Sequence, residues 1–269
     1  MVLGEQDITT ALHAVGVNSG DGLFVHTALG QIGHVLGGPR GLIQSLINAV
    51  GPEGLIGMPG FSDDAYDPVE MLGLEVEPGV HDHIKKQVPG FDLVRSNARQ
   101  NGSVPETFRR WPDVIRSPHP TSSVLLLGPE AKKLSLPHNP YGWPTGPETP
   151  WGRLRSRPHM KILLIGVGWN RCSALHAAES AAEYKRTVIR TIKLRTGLDA
   201  PWITAPDVSD DLDRLFPLVG ADWEKTGNVQ LGKIGEADIK LTDYDHLVDF
   251  ASNWINERNK ADGVRMANI

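Results

Sequence analysis

Residues 22–58 read GLFVHTALGQIGHVLGGPRGLIQSLINAVGPEGLIGM and decide the fold. The stretch opens with an apolar run over 22–26 that is typical of a buried strand. A glycine-rich loop follows, and 39–50 carries apolar residues at helical spacing before a Gly-Pro pair ends the helix. A second apolar run over 55–58 predicts another strand. Strand, loop, helix and strand in this order indicate a βαβ unit, and therefore two parallel strands.

The chain beyond this unit contains further elements and one long irregular segment. Residues 61–116 are rich in proline, glycine and acidic residues, and their pattern is weak apart from a predicted helix over Pro105 to Trp111. A segment of this kind is usually functional or covers a site. The other predicted elements are a strand over 122–127, a short helix over 129–134, a loop over 137–150, a strand over 161–168 and a helix over 172–184.

The C-terminal third has a different pattern. Thr187 to Arg195 alternates in polarity, which is typical of a sheet with one solvated face. We expect Ala237 to Leu241 to pair with it and Asp243 to Arg258 to form a closing amphipathic helix. The sequence therefore predicts an α/β fold in a single domain over 1–269, with a mixed sheet that has a parallel βαβ core and an antiparallel C-terminal portion.

The composition is ordinary for a soluble globular protein, and several features lead us to expect a cytoplasmic location. Hydrophobic residues make up 40% and charged residues 22% of the chain, which is ordinary for a globular protein. A net charge of −5 without a basic block argues against a nucleic-acid partner. The single cysteine favours a reducing compartment. The N-terminus lacks a signal-peptide pattern and no apolar run approaches the roughly 20 residues that span a bilayer, so we expect no membrane.

The predicted helix from Cys172 carries the most informative polar residues. Cys172, His176, Glu179 and Glu183 are spaced so that one helix face would hold all four. The helix follows the most apolar strand, and α/β folds bind ligands at the carboxyl ends of their strands. A histidine beside a carboxylate suits a general base, because its unperturbed pKa of ~6.5 lies near neutrality. A solvated polar face is the alternative interpretation.

Two other segments contain candidate binding groups. His119 lies between Pro118 and Pro120, which fix the backbone and hence the direction of the ring. Either a catalytic group or a cap for the following strand fits this position. The loop from Thr27 to Gly38 has four glycines, which allow a backbone to approach a phosphate, and the start of the next helix favours anions.

Several segments together resemble the aminoglycoside 3-N-acetyltransferase family. The likeness covers roughly residues 5 to 185, with the motifs in order. The motifs are Val25-His-Thr27 with its glycine loop, Met58-Pro-Gly-Phe61, Glu106-Thr-Phe-Arg109, Arg116-Ser-Pro-His-Pro120, Tyr141-Gly142 with Thr149-Pro-Trp-Gly-Arg153, and Leu164-Ile-Gly-Val-Gly168 followed by Leu175-His-Ala-Ala-Glu179.

The resemblance implies an acyltransferase of the antibiotic N-acetyltransferase fold. Acetyl-CoA would be the co-substrate, and the 3-amine of an aminoglycoside would be the acceptor. The role would be antibiotic resistance or a related amino-sugar acetylation. No metal would take part. Transfer would be direct, and the oligomeric state is left open, a homodimer included. The implied residues are His176, Glu179 and His119 for catalysis, with His26, Thr27, Ala28, Leu29, Gly33, Val35, Gly38 and Ser117 for the cofactor. Candidates for contacts with the acceptor are Asp63, Asp67, Tyr141 and Glu183.

Other functions fit parts of the sequence. Cys172 one turn before His176 would suit a cysteine-nucleophile acyltransferase with ping-pong kinetics. The segment His81-Asp-His83 would suit a metal-dependent hydrolase if it formed a strand. A non-catalytic amino-sugar binding protein and an acetyltransferase of another small amine are the remaining alternatives. Turnover of acetyl-CoA separates the enzymes that use it from the binding protein.

Overall fold

The computed structural model describes residues 2–208 and 214–266. Its strands are β1 (Val2–Leu3), β2 (Gly22–Thr27), β3 (His34–Val35), β4 (Leu55–Pro59), β5 (Ile115–Arg116), β6 (Val124–Leu127), β7 (Met160–Ile165), β8 (Thr187–Lys193), β9 (Trp202–Val208), β10 (Gln230–Ile234) and β11 (Ala237–Asp243). Its helices are α1 (Glu5–Ala14), α2 (Leu29–Ile32), α3 (Pro39–Val50), α4 (Pro68–Leu72), α5 (Pro78–Gln87), α6 (Ser103–Phe108), α7 (Ala131–Ser135), α8 (Pro150–Arg155), α9 (Ala174–Ala181), α10 (Phe216–Lys225) and α11 (Tyr244–Ala261). Arg99–Asn101 and Trp169–Arg171 form 3₁₀ turns.

A seven-stranded sheet in the order β10-β11-β7-β2-β4-β6-β5 organises the fold. Its central strands β7, β2 and β4 are parallel, and helix α3 connects β2 to β4. Strand β11 joins β7 antiparallel at one side, and β6 joins β4 antiparallel at the other. This arrangement confirms the mixed α/β sheet with a parallel βαβ core and an antiparallel C-terminal portion. The second antiparallel edge, β6 and β5, was not predicted.

Both faces of the sheet are covered, because its central strands are apolar on both sides. In β2, Leu23 and Val25 belong to a core that includes α1 and α3, whereas Phe24 belongs to a core that includes α9, α10 and α11. Trp151 of α8 is fully buried in the second core, with its ring centroid 5.0 Å from that of Phe24. Its indole N–H donates to the carbonyl of Ser122 at 3.0 Å. The core thereby fixes backbone that leads into the cleft described below.

The predicted partner of the strand over 187–195 is wrong. Strand β8 pairs antiparallel with β9 in a separate two-stranded sheet, and Thr187 lies opposite Val208. Residues 237–241 belong to β11, which pairs with β7 in the large sheet. Alternating polarity shows that a strand has one buried face, but it does not specify the strand beside it.

The helix predicted over 172–184 is shorter than expected. It is α9, and it begins at Ala174 and ends at Ala181, so Cys172 precedes it and Glu183 follows it. The predicted polar face of four residues is therefore wrong, and only His176 and Glu179 share the helix. Segment 61–116 is also more regular than predicted, since it contains α4 and α5 in addition to the expected helix α6. Within the described ranges, no helix is both long and apolar enough to cross a bilayer.

Candidate active site

A cleft lies at the carboxyl ends of the central parallel strands. Thr27 ends β2, Pro59 ends β4, Val167 follows β7, and all three line a cavity of about 320 Å³. We call this cavity the first arm. Parallel strands of an α/β sheet place their carboxyl ends at one edge, which is the usual position of a ligand site in such folds.

A second cavity of about 290 Å³ adjoins the first, and we call it the second arm. It is polar on one side, where Asp63, Thr121, Ser122, Arg190 and Asp207 line it. The residues that line both arms are Phe61, Gln100, Asn101, Arg171 and His176. His176 therefore lies where the two arms meet.

The His176 ring is held by Glu179 on the next turn of α9. Nδ1 of the ring lies 2.9 Å from Oε2 of the carboxylate, and the two side chains are 12% and 7% exposed. Because the carboxylate accepts from the Nδ1–H, the other ring nitrogen, Nε2, is the one that can accept a proton. The Phe216 ring packs edge-on at 4.9 Å and restricts the imidazole further. The pairing predicted from the spacing is present in the structure.

His26 is a second imidazole in the first arm, at the end of β2. It is buried, and its Nε2 accepts from the backbone N–H of Ser173 at 3.3 Å. Burial, together with the nearby His176, lowers the pKa of His26 to about 3. A neutral ring that accepts at Nε2 carries its proton on Nδ1. His26 can therefore act as a neutral hydrogen-bond donor, but it is not a base near neutral pH.

The hydroxyl of Thr27 also belongs to the first arm. Its Oγ1 is buried, and no atom of the described residues forms a hydrogen bond with it. A buried hydroxyl without a partner costs free energy, on the order of 1–3 kcal/mol. A ligand carbonyl that accepted from this hydroxyl would remove that cost.

His119 lies behind the wall of the cleft, beneath Thr121 and Ser122, and it lines neither arm. Its Nδ1 accepts from the backbone N–H of Ser122 at 3.0 Å, and its ring centroid lies 4.5 Å from that of His138, with the two ring planes tilted by 34°. Burial first, and then His138, holds the pKa of His119 well below its ordinary value. His119 lines neither arm, so its position does not support the predicted catalytic role, which stays a prediction. The backbone bond at Nδ1 holds the ring against the wall of the second arm, and its buried Nε2 has no hydrogen-bond partner among the described residues.

Ser117 is part of the same buried network. Its Oγ accepts from the backbone N–H of Val124 at 2.9 Å and lies 2.8 Å from Nδ1 of His138. The opposite nitrogen of His138 donates to the carbonyl of Pro144 at 2.8 Å. With its hydroxyl bonded in this way and outside both arms, Ser117 has no position that supports the cofactor contact implied by the resemblance, which stays a prediction.

The glycine loop meets the cleft only at its start. Ala28 lines the first arm, whereas Leu29 begins α2, Gly33 ends it, and Val35 pairs with β1 and packs into the core. Gly38 lies next to a separate groove.

The start of α3 offers fewer free amides than predicted. The N–H of Gly38 donates to the carbonyl of Val35, and that of Arg40 donates to the carbonyl of Gly37. Pro39, between them, has no N–H. The helix start is therefore a poor anion site by itself.

Of the four residues predicted to contact the acceptor, only Asp63 lines an arm of the cleft. Asp63 lines the second arm, and burial raises the pKa of its carboxyl group. Asp67 is buried, caps α4 and pairs with His81 at 2.8 Å, so its oxygens are already used. Tyr141 and Glu183 are exposed, and neither lines an arm of the cleft.

The structure does not support a cysteine nucleophile at Cys172 or a metal site at His81 and His83. Cys172 is fully buried outside both arms, and burial raises the pKa of its thiol to about 12, so the nucleophilic thiolate is not available. His81 and His83 lie two positions apart on helix α5, which directs them to different sides. Across residues 2–208 and 214–266, no three His, Cys, Asp or Glu side chains form a cluster suited to a metal ion.

Several residues of the second arm were not predicted from the sequence. Asn101 joins the arms, and its side-chain amide donates to the carbonyl of Phe61 at 3.0 Å. Arg190 on β8 and Asp207 on β9 reach the second arm through the pairing of those strands. No local pattern marks these positions, because they come together only through long-range contacts.

Comparison with known proteins gives one consistent family. Residues 24–256 match the family described as aminoglycoside 3-N-acetyltransferase. The chain is 32% identical over 263 residues to aminoglycoside N(3)-acetyltransferase VIII of Streptomyces fradiae. The aligned region covers 92% of this chain and 90% of the relative.

Solved structures are similar over nearly the whole chain. YokD from Bacillus subtilis superposes with a TM-score of 0.89 at 30% identity and covers 97% of this chain and 96% of that chain. AAC-VIa bound to sisomicin gives 0.84 at 30% identity, with 96% and 99% covered. AAC-IIIb in a binary complex with CoASH gives 0.84 at 26% identity, with 96% and 98% covered.

Proposed function

The chain belongs to the aminoglycoside 3-N-acetyltransferase family and is an acyltransferase, and we propose that it transfers acetyl from acetyl-CoA directly to the 3-amine of an aminoglycoside. His176 would be the general base, held by Glu179. The observation that carries the proposal is the position of His176, which lines both arms and can therefore meet a donor in one and an acceptor in the other. Relatives that bind CoASH and sisomicin support these two ligand classes.

The residues present fit such a donor in the first arm. Its wall includes apolar groups such as Phe61, Pro105 and Val167, which suit the slender pantetheine chain. The hydroxyl of Thr27 and the Nδ1–H of His26 are two neutral donors at the same wall, and both could bind the thioester carbonyl oxygen. Donors fixed in advance stabilise the negative charge that develops on this oxygen during acyl transfer.

The transfer step follows from the position of the base. A protonated amine must lose a proton before it attacks, and Nε2 of His176 accepts a proton during the reaction. The amine nitrogen forms a bond to the acetyl carbon, and the second proton that this nitrogen must lose goes to solvent. The carbon–sulfur bond breaks, and the sulfur leaves with its electron pair as the CoA thiolate, which takes up the proton from the imidazolium of His176. Glu179 stabilises the imidazolium that forms, and Asp63 in the second arm offers a carboxylate to another ammonium group of the acceptor.

The assay for this function is thiol release from acetyl-CoA in the presence of an acceptor panel. The panel includes sisomicin, other aminoglycosides and small amines such as spermidine and glucosamine. We expect turnover with at least one aminoglycoside. Turnover with small amines alone would show that the acceptor is a small amine and not an aminoglycoside. The absence of thiol release with every amine of the panel would contradict the proposal that the protein is an acetyl-CoA-dependent enzyme.

Substitution of Thr27 by valine should lower kcat/KM for acetyl-CoA by about 5- to 150-fold, which corresponds to about 1–3 kcal/mol. Valine keeps the shape and removes the hydroxyl, so a carbonyl bound there loses one donor. Thr27→Ser is the matched control, because it keeps the hydroxyl and should stay near the wild type. Steady-state rates of both variants decide the matter. Equal rates for Thr27→Val and wild type would remove Thr27 from the donor site.

Substitution of Cys172 by serine should leave substantial activity, with initial-rate lines that intersect. A direct transfer requires both substrates to be bound together, and the buried thiol of Cys172 has no part in it. The measurement is the initial rate at several concentrations of both substrates, together with mass spectrometry of the enzyme after exposure to acetyl-CoA alone. Parallel lines, or an acetylated Cys172 peptide, would establish a covalent intermediate instead.

A further inference from the structure

Asn101, like His176, lines both arms of the cleft, and the reaction described above does not use it. Three other residues also line both arms. Of these, Phe61 is apolar and Arg171 can only donate hydrogen bonds. Within this set of five, an N–H of a bound amine can therefore be accepted only by His176, Gln100 or Asn101.

The side-chain amide of Asn101 has a fixed orientation. Its nitrogen, Nδ2, donates to the carbonyl of Phe61 at 3.0 Å and to the carbonyl of Ala98 at 3.2 Å. Because a carbonyl oxygen only accepts, these two bonds identify the amide nitrogen and leave Oδ1 on the other branch. The neighbouring Gln100 differs, because it is exposed and its side chain bonds to the carboxylate of Asp63 in the second arm. Asn101 is therefore the acceptor with the better defined direction.

The oxygen Oδ1 of Asn101 is left for a ligand. None of the described residues donates a hydrogen bond to it. The residue as a whole is half-buried, and this oxygen is not one of the buried atoms that lack a partner, so a ligand can reach it. Oδ1 thus offers a carbonyl-type acceptor at the wall of both arms, where the acetyl donor and the acceptor amine would meet.

The backbone around Asn101 is fixed as well. Its N–H donates to the carbonyl of Ala98 at 3.0 Å, and Ala98 is fully buried. The N–H of Ala98 in turn donates to Oε2 of Glu106 at 2.8 Å. The next residue, Gly102, lies near the end of β2, because a Cβ on it would be 3.8 Å from the carbonyl oxygen of Thr27. The position of Oδ1 is thereby set before a substrate binds, which lowers the entropy cost of using it.

The protons of the acceptor amine show what such an oxygen can do. A primary ammonium group has three protons, and acetylation removes two of them, one to Nε2 of His176 and one to solvent. The third proton stays on the nitrogen as the N–H of the product amide. A neutral amide oxygen can accept from this N–H without a negative charge that would favour the protonated amine. When the directions of the N–H bonds are fixed, the direction of the nitrogen lone pair is fixed too.

We propose that Oδ1 of Asn101 accepts from the N–H that stays in the product, and that it thereby directs the lone pair of the amine toward the acetyl carbon. The inference rests on the proposed function for the reaction and for His176 as the base. It makes Asn101 a determinant of selectivity for primary amines. A secondary ammonium group loses both of its protons when it forms a tertiary amide, so it has no N–H left for Asn101.

The test uses the variant Asn101→Leu, which keeps the branched shape and removes the oxygen, and a matched pair of acceptors. The pair is an aminoglycoside and its 3-N-methyl derivative. For the primary amine we expect kcat/KM to fall on the order of tenfold, whereas for the N-methyl derivative it should change less than about twofold. The preference of wild type for the primary amine should shrink accordingly. Asn97→Leu is the control, since this exposed asparagine belongs to the same segment and lines neither arm.

An equal fall for both acceptors would mean that the variant merely displaces the segment, and it would overturn the proposal, as would unchanged rates for both. If only small amines are acetylated, the proposed acceptor class fails, and glucosamine with its N-methyl derivative becomes the pair that tests Asn101.

Calorimetry supplies a readout that does not depend on turnover. The affinity for the aminoglycoside should be lower in Asn101→Leu than in wild type, and the affinity for CoA should be the same in both. If this result is found but no amine is acetylated, the proposed function fails and the contact with Asn101 stands. A parallel loss of CoA affinity would overturn the proposal, because it would show that the first arm has been displaced. Without turnover of any amine, equal affinities of the two proteins for the aminoglycoside would overturn it as well.

Discussion

Replacement of His176 by alanine should lower kcat by about 10²–10⁴-fold, the usual effect of removing a general base. The imidazole lies at the junction of the two arms, so its loss leaves a bound ammonium group without a nearby proton acceptor. The side chain is 12% exposed, and the loss of its ion pair with Glu179 removes no backbone hydrogen bond, so the variant should remain folded. Stopped-flow or steady-state thiol release at saturating acetyl-CoA and acceptor gives kcat directly.

The controls separate a chemical effect from a structural one. Glu179→Gln should lose less activity than His176→Ala, because the amide still accepts from Nδ1 and only the charge is lost. His246→Ala removes an exposed histidine of α11, whose side chain is 74% exposed, and should keep full activity. If the His176→Ala variant is folded and its kcat is close to that of wild type, His176 is not the general base.

The free energy of unfolding should fall steeply between about pH 7 and pH 5. Burial, aided by His176, lowers the pKa of His26 to about 3, and burial lowers the pKa of His138 to about 4. Burial, with His138, also holds the pKa of His119 far below its ordinary value. In the unfolded chain each histidine has a pKa of about 6.5, so below this value the unfolded state binds more protons. Stability then falls by up to about 1.4 kcal/mol per pH unit for each of the three.

Urea unfolding at a series of pH values measures this slope. His138→Gln keeps both a hydrogen-bond donor and an acceptor and removes the titrating group. The change of its unfolding free energy with pH should therefore be smaller than that of wild type, by an amount that corresponds to the uptake of close to one proton on unfolding. His246→Gln changes an exposed histidine and should leave the slope unchanged. An unfolding free energy of wild type that stays constant over this range would contradict the low pKa values of the buried histidines.

The parts of the fold that local pattern determines were predictable. The helix over 39–50 coincides with α3, and the apolar runs over 22–26 and 55–58 are β2 and β4. In these elements the apolar residues repeat with a clear period and Gly or Pro marks the ends. Pairing over long sequence separations was not predictable, so β11 was assigned to the wrong neighbour and β9 was not identified.

In the candidate site, too, the contacts within one helix were predictable and the long-range contacts were not. His176 and Glu179 are three positions apart on one helix, so their contact follows from helix geometry. The prolines around His119 did indicate a fixed ring, but sequence alone could not show that the ring points behind the cleft and not into it. Asp207 reaches the second arm only because β9 pairs with β8, and Asp67 was an attractive acidic residue whose burial beside His81 depends on the fold of α4 and α5.

The most direct test of acetyl transfer to the antibiotic is identification of the product. The enzyme is incubated with acetyl-CoA and an aminoglycoside from the productive part of the panel, and NMR together with mass spectrometry locates the new acetyl group. We predict one N-acetyl group on the 3-amine of the deoxystreptamine ring, with one CoA thiol released for each amide formed. Acetate as the sole product, or an acetyl group on a hydroxyl or on another nitrogen, would contradict the proposed reaction.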